Sequence, residues 1–297
     1  MIEQLPRYVE PLFRPPSEAR SLIFQISIGC SQNSCTFCGM YKGKKFRIKP
    51  LDEVIDEISS IPALYRQSIT RVFLADGDAL VYPFAGLSSI LEALSDHFPK
   101  LARVGSYASP ASLATKSPEQ LALLRQKRLR ILYFGLESGD DETLLRVKKG
   151  FSSEEMAEQA LKARNAGMKL SVTAILGLAG RERSLIHAEK TAAWVTRVNP
   201  EYFSLLTLFH RHNEEFVRAL VQCNCRELML EARQMLSLMN PAATILRSNH
   251  VSNFLNLEGT LPKDHDRLVA DVDCAMERAA KYPGFLNSVP EYTEEYY

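Results

Sequence analysis

Apolar runs of five to ten residues recur along this chain, and each is followed by a turn-forming or polar group and then by a stretch with helical spacing. Residues 22–28, 71–75, 103–109, 129–136, 169–178 and 202–209 read as strands. Between them, residues 51–61 place Leu51, Val54, Ile55, Ile58 and Ile61 at helical spacing, and 87–98, 118–127, 154–166 and 184–197 read as further helices. Alternation of this kind predicts a parallel sheet with helices outside it. The first twenty residues hold Pro6, Pro11, Pro15 and Pro16, which rule out a long helix. After the sixth strand, helices are expected over 214–238 and 264–281, with a dense polar run over 244–254, preceded by a β-like triplet, between them.

The chemistry is concentrated just past the first strand. Cys30, Cys35 and Cys38 fall at Cys-x4-Cys-x2-Cys on a loop, a spacing that brings thiols to one metal centre. A zinc site wants four closed protein ligands, and the next His and Cys in the chain are His97 and Cys223. A cubane iron-sulfur cluster accepts four ligands, so three thiolates leave one iron open to a group that is not protein. A degenerate zinc knuckle, or cysteines buried as small hydrophobes, are the alternatives that the residues leave open.

The cysteine triplet, Phe37 ahead of its last member and the strand that precedes it resemble the radical S-adenosylmethionine (SAM) enzymes, in a branch with the anaerobic coproporphyrinogen oxidases and tRNA methylthiotransferases. The first gap holds one residue more than the usual Cys-x3-Cys-x2-Cys. The resemblance implies a [4Fe-4S] cluster on Cys30, Cys35 and Cys38, SAM on its open iron, and an electron from the cluster that cleaves SAM to a 5′-deoxyadenosyl radical. It also implies a partial (β/α)6 TIM-like barrel. With the C-terminal residues, the fold class is α/β, a partial barrel with a mostly helical extension. The division expected is an extended arm over 1–20, the barrel over 21–210 and the extension over 211–297.

Barrel chemistry sits where strands end at their C-terminal face. The resemblance gives Gly77 and Asp78 the place of the family's Gly-Gly-Glu element, whose backbone takes the SAM amino group. Ser106 closes the third strand. Glu137 and Ser138 end the fourth, at positions that contact ribose and methionine in relatives. Ile175 and Gly177 match the element against which adenine packs. Turn former and core residue are the bland alternatives at Gly77 and Ile175. His210 and His212 follow the sixth strand and, with Arg247, Asn249 and His250, are the candidates for the substrate side; polar loops are the alternative. The Pro-Gly-Thr turn that relatives carry after the sixth strand is missing here.

Composition narrows the partners. With 46% hydrophobic and 24% charged residues the 297-residue chain can bury a sizeable core, and a net charge of +1 makes no general case for nucleic acid. No apolar run reaches the roughly 20 residues of a spanning helix, so no membrane partner and a cytoplasmic location are expected. Residues 42–49 are basic at five of eight positions, either a solvated loop or a positive collar for an anion. Cys223, Cys225 and Cys274 fall in predicted helices and read as packing residues. The resemblance further implies a small-molecule substrate and a reductant such as flavodoxin or ferredoxin. A sensor or delivery protein that keeps cluster or SAM, and an RNA-modifying enzyme, are the other classes.

Overall fold

The computed structural model describes residues 8–208, 213–250 and 252–290. In chain order its elements begin with β1 (Leu22–Gln25), β2 (Ser27–Ile28), β3 (Arg47–Ile48), α1 (Leu51–Ser59), α2 (Ala63–Arg66) and β4 (Arg71–Ala75). There follow α3 (Phe84–His97), β5 (Arg103–Ala108), α4 (Pro110–Ala114), α5 (Pro118–Gln126) and β6 (Leu129–Glu137). The second half holds α6 (Asp141–Arg146), α7 (Ser153–Asn165), β7 (Lys169–Leu176), α8 (Ser184–Val198) and β8 (Tyr202–Thr207). It closes with α9 (Glu214–Arg218), α10 (Cys225–Leu238), β9 (Thr244–Arg247), β10 (Glu258–Leu261), α11 (His265–Ala279) and α12 (Pro283–Asn287).

These elements form two compact units. One is built from residues up to 33, 40–134 and 158–170, the other from 34–39, 135–157 and from 171 onward. In the first unit β1 pairs in parallel with β4, β4 with β5 and β5 with β6. Val72 to Ala75 of β4 are wholly buried, which is why this strand reads as an unbroken apolar run. The strand expected over 22–28 is split: β1 runs along β4, whereas β2 turns to pair antiparallel with β3. Ile26 stays extended between them, its N–H on the Ala75 carbonyl and its carbonyl on Lys49 N–H. In the second unit β7 pairs in parallel with β8 and β8 with β9, and β10 returns antiparallel on β9.

Helix starts follow local chemistry. Ser109 and Ser117 each precede a proline and close a capping box, with Ser112 and Gln120 respectively, so both Ser-Pro pairs begin helices. The helix expected over 214–238 is two helices. Asn224 and Glu227 form a reciprocal capping box that starts α10 at Cys225, and this N-cap geometry cannot lie inside a continuous helix. Cys223 therefore precedes the helix rather than lying in it, and Cys225 opens it.

The basic run is divided by function. Lys44 is buried, and its ammonium donates to the carbonyls of Val9 (2.5 Å) and Pro11 (2.6 Å) and to Asp76 Oδ2 (2.9 Å). Lys49 is buried against Glu57 and lies 3.5 Å from Glu53. Two of the five basic side chains thus hold the first unit together. Removing one partner of a buried ion pair costs about 3–5 kcal/mol, because the other charge is left uncompensated. Lys44→Met is therefore expected to lower unfolding stability by about that amount in urea titration. A loss under about 1 kcal/mol would show that Gln25 and Gly29 N–H, which also donate to Asp76, suffice for it.

Candidate SAM and cluster site

In the first unit, the end of β4 carries the backbone around Cys30. Gly77 N–H donates to the Gly29 carbonyl at 3.1 Å. A Cβ at Gly77 would lie 2.7 Å from Tyr41 Cε2 and 2.9 Å from Cys30 Cβ, so only glycine lets the two segments approach this closely. Asp78 is fully buried, and its carboxylate accepts from Ser31 Oγ (2.5 Å), Ser109 N (3.0 Å) and Ser109 Oγ (2.7 Å). Its acceptor capacity is spent on tying the residue after Cys30 to the N-cap of α4. The carboxylate of Asp76, buried beside it, is committed to Lys44, Gln25 and Gly29 N–H. Ser106 is buried, with its hydroxyl on the Tyr107 carbonyl.

In the second unit, Cys35 and Cys38 lie in one turn, with Cys38 N–H directed at the Cys35 carbonyl (3.4 Å) and Thr36 N–H on the Val147 carbonyl (3.0 Å). Beside them is the buried ammonium of Lys149, which donates to Glu137 Oε1 at 3.0 Å. Burial alone would depress its pKa, but the Glu137 carboxylate and the Cys35 and Cys38 thiols outweigh it and hold the ammonium above the ordinary lysine range. Glu137 itself sits at φ +65°, within a three-residue turn closed by Ser138 N–H on the Leu136 carbonyl. Left-handed backbone at a non-glycine residue is strained by roughly 1–3 kcal/mol and collects at functional sites. Gly135 leaves the room this pair needs: a Cβ there would fall 2.0 Å from Glu137 Oε1.

Phe37 and Ile175 both pack, half-buried, on the apolar cluster of Val147, Leu178, Leu208, Val217 and Leu220. Asn213 Nδ2 donates to the Phe37 carbonyl at 2.7 Å and holds the cysteine turn from α9's N-terminal side. Next to Gly177 a narrow crevice at the ends of β7 and β8 is lined by Leu176, Thr207, Leu208, Leu220, Cys223 and Leu228. Ser138 is buried with its hydroxyl 2.7 Å from His187 Nδ1. Asp140 caps α6, held by Arg183 through two bonds of 2.9 Å and by Lys190 at 3.1 Å. Burial works to raise its pKa, but these bonds and those from Thr143 keep the carboxyl far below its ordinary value.

On the substrate side, His210 and His212 lie outside the described residues. Arg247 is exposed at the end of β9, with Nη1 on the Leu246 carbonyl, and Asn249 is exposed. His250 Nδ1 meets Ser252 Oγ at 2.8 Å, and burial lowers its pKa. Asn253 ties the turn to β8, accepting from Thr207 Oγ1 and donating to the Leu205 carbonyl. Of the remaining cysteines, Cys223 and Cys225 are buried, and burial pushes the Cys223 thiol up to about 12 and raises that of Cys225. Both behave as packing residues.

The donor set suits a cluster. None of the six cysteines is in a disulfide, and a buried cation beside two thiols offsets the negative charge that thiolate ligation brings. Among the described residues no three His, Cys, Asp or Glu side chains gather around a single ion. A cubane asks for something else, because each thiolate takes its own iron. Lys149, Asp76 and Gly135 are the residues that sequence reasoning missed. The available signals were a basic pair before Gly150, twelve positions after Glu137, and an acid next to Gly77.

The chain is similar to several known proteins. A protein of Methanocaldococcus jannaschii named as a methylthiotransferase is 26% identical over 152 residues, 48% of this chain and 32% of the relative. The chain thus spans about a third of the length of that curated relative. Methylornithine synthase matches with a TM-score of 0.54 at 14% identity, over 85% of this chain and 68% of the other. The Escherichia coli coproporphyrinogen III oxidase matches at 0.51 and 18% identity, over 67% and 46%. These likenesses show the fold, and the α/β partial-barrel class expected from the sequence stands. The profile of the radical SAM superfamily matches residues 24–191, more than half of the chain. With its cysteine turn, strand-end glycines and parallel strands, the chain belongs to the radical SAM superfamily, enzymes that use a [4Fe-4S] cluster and SAM.

Proposed function

We propose that this protein is a radical SAM enzyme in which Cys30, Cys35 and Cys38 hold the cluster and the strand ends orient SAM for reductive cleavage. When bound, cluster and SAM together supply a 5′-deoxyadenosyl radical that takes a hydrogen atom from the substrate. The protein's part is binding, orientation and charge. The observation that carries the reading is the Lys149 ammonium, buried beside Cys35 and Cys38 and paired with Glu137. It balances anionic ligands, and the Glu137 carboxylate keeps it in place. Gly77 admits close backbone approach beside Cys30. Glu137, Ser138, Ile175 and Gly177 are assigned to SAM, with Phe37 beside Ile175 on one apolar platform. Asp78 and Ser106 act from behind, through the backbone they hold. His210, His212, Arg247, Asn249 and His250 are assigned to the side of a small-molecule substrate.

Lys149→Met is expected to lower cleavage of SAM by at least tenfold and to weaken cluster retention, because it leaves Glu137 buried without its partner. Lys149→Arg, which keeps the charge, should recover part of both. Iron analysis and deoxyadenosine assay after anaerobic reconstitution measure this. Unchanged iron and cleavage in the methionine variant would count against the charge-balancing role.

The named methylthiotransferase relative favours a second reading, transfer of a methylthio group. SAM labelled in its methyl carbon separates the two: the label leaves in methionine if only a hydrogen is abstracted, and enters the product if the group is transferred. Radical SAM enzymes need an electron donor; flavodoxin or ferredoxin in the cytoplasm fits this chain. Among the described residues no helix is long and apolar enough to cross a membrane.

A further inference from the structure

Glu231 lies in the middle of α10, against the residues that follow β7, and is completely buried. An acid there has to be paired within the protein. Gly177 N–H donates to its Oε1 at 2.9 Å, and Ser184 Oγ donates to Oε2. His187, on α8 and also fully buried, places Nε2 3.4 Å from the same Oε1. Across the ring, Nδ1 is 2.7 Å from Ser138 Oγ. Ser138 Oγ already accepts Asp140 N–H at 3.0 Å, so its own proton is available to Nδ1. The ring proton of the neutral imidazole is then on Nε2, which approaches Glu231 without hydrogen-bond geometry. Burial holds His187 neutral, with its pKa lowered to about 4. One line of contacts therefore runs from Gly177 at the end of β7, bonded to Glu231, past His187 Nε2 at 3.4 Å, to Ser138 at the end of β6.

Gly177 has φ +79°, and an added Cβ would meet Leu228 Cδ2 of α10 at 3.0 Å. The backbone here is in a left-handed conformation, and its N–H is held by a side chain 54 residues further along the chain, that of Glu231. We infer that Glu231 is a positioning residue for SAM: through Gly177 and, by way of His187, Ser138, it fixes the two strand ends on which the cofactor lies. The inference rests on the assignment of Ser138 and Gly177 to SAM.

The test compares wild type, Glu231→Leu, Glu231→Gln and His187→Leu, each loaded with its cluster anaerobically. SAM binding is measured by equilibrium dialysis, iron by analysis, and exchange of the Gly177 amide by deuterium uptake of the peptide that contains it. Glu231→Leu should bind SAM at least tenfold more weakly and exchange the Gly177 amide faster, with iron unchanged. Glu231→Gln keeps an acceptor for Gly177 N–H and should stay within about threefold of wild type in affinity. His187→Leu cuts the line on the Ser138 side; it should weaken SAM binding while sparing Gly177 exchange, and it decides the matter if Glu231→Leu does not fold. SAM binding equal to wild type in a folded Glu231→Leu or His187→Leu protein would overturn the inference. Failure of the wild type itself to bind SAM would instead remove the assignment on which it rests.

Discussion

Cys35→Ala and Cys38→Ala are each expected to take bound iron from about four atoms per chain to below one, and to abolish SAM cleavage. Each thiolate of a three-cysteine cubane holds a different iron, so no neighbour can take over for the one removed. The surroundings sharpen the expectation. Lys149 is kept charged by Glu137 and by the two thiols. Deleting one thiol takes away an anionic ligand and leaves the buried ammonium with Glu137 and one thiol. Cys30→Ala should do the same from the other end of the loop. Changing Cys223, Cys225 and Cys274 to Ser should leave the iron count near four, since Cys223 and Cys225 are buried packing residues and Cys274 lies on α11. An iron count near eight that falls to four in this triple variant would mean that those cysteines hold a second cluster.

Gly77→Val is expected to weaken SAM binding by at least tenfold and to lower stability by about 1–3 kcal/mol, the usual cost of overpacking. The added atoms have nowhere to go: Tyr41 is buried, and its ring and Cys30 Cβ would both lie within 3 Å of the new Cβ. Relief requires Cys30 or Tyr41 to move, and movement of Cys30 disturbs a cluster ligand. Gly43→Ala, where an added Cβ meets nothing within 4 Å, is the control and should be silent. Calorimetric SAM titration together with thermal melting reads both effects. Wild-type affinity in Gly77→Val would place the SAM site away from the end of β4.

The strand order was legible because buried parallel strands are written as unbroken apolar runs, as Val72 to Ala75 show. The cysteine turn was legible because ligands on one loop declare themselves by spacing. What escaped depends on burial, which sequence does not display. Lys149 follows another lysine before a glycine and looks like an exposed helix end, yet its ammonium is enclosed with Glu137. Glu231 occupies an amphipathic helix where an acid ordinarily faces water, but here it is sealed against α8 and Gly177. Lys44 sits in a basic run that suggests an anion collar, and its charge is spent on Asp76. The break between α9 and α10 was present in the sequence as Asn224 and Glu227, a capping box masked by the helix-compatible residues before it.

Reductive cleavage of bound SAM is the reaction proposed for this chain. The measurement that meets it most directly is quantitation of 5′-deoxyadenosine after anaerobic reconstitution with iron and sulfide and reduction by dithionite. Slow formation of 5′-deoxyadenosine and methionine in equal amounts is expected without added substrate, lost in Cys35→Ala. Fully loaded, reduced protein that binds SAM but yields no deoxyadenosine, with or without cell extract, would contradict it and make the chain a carrier or sensor of its cofactors.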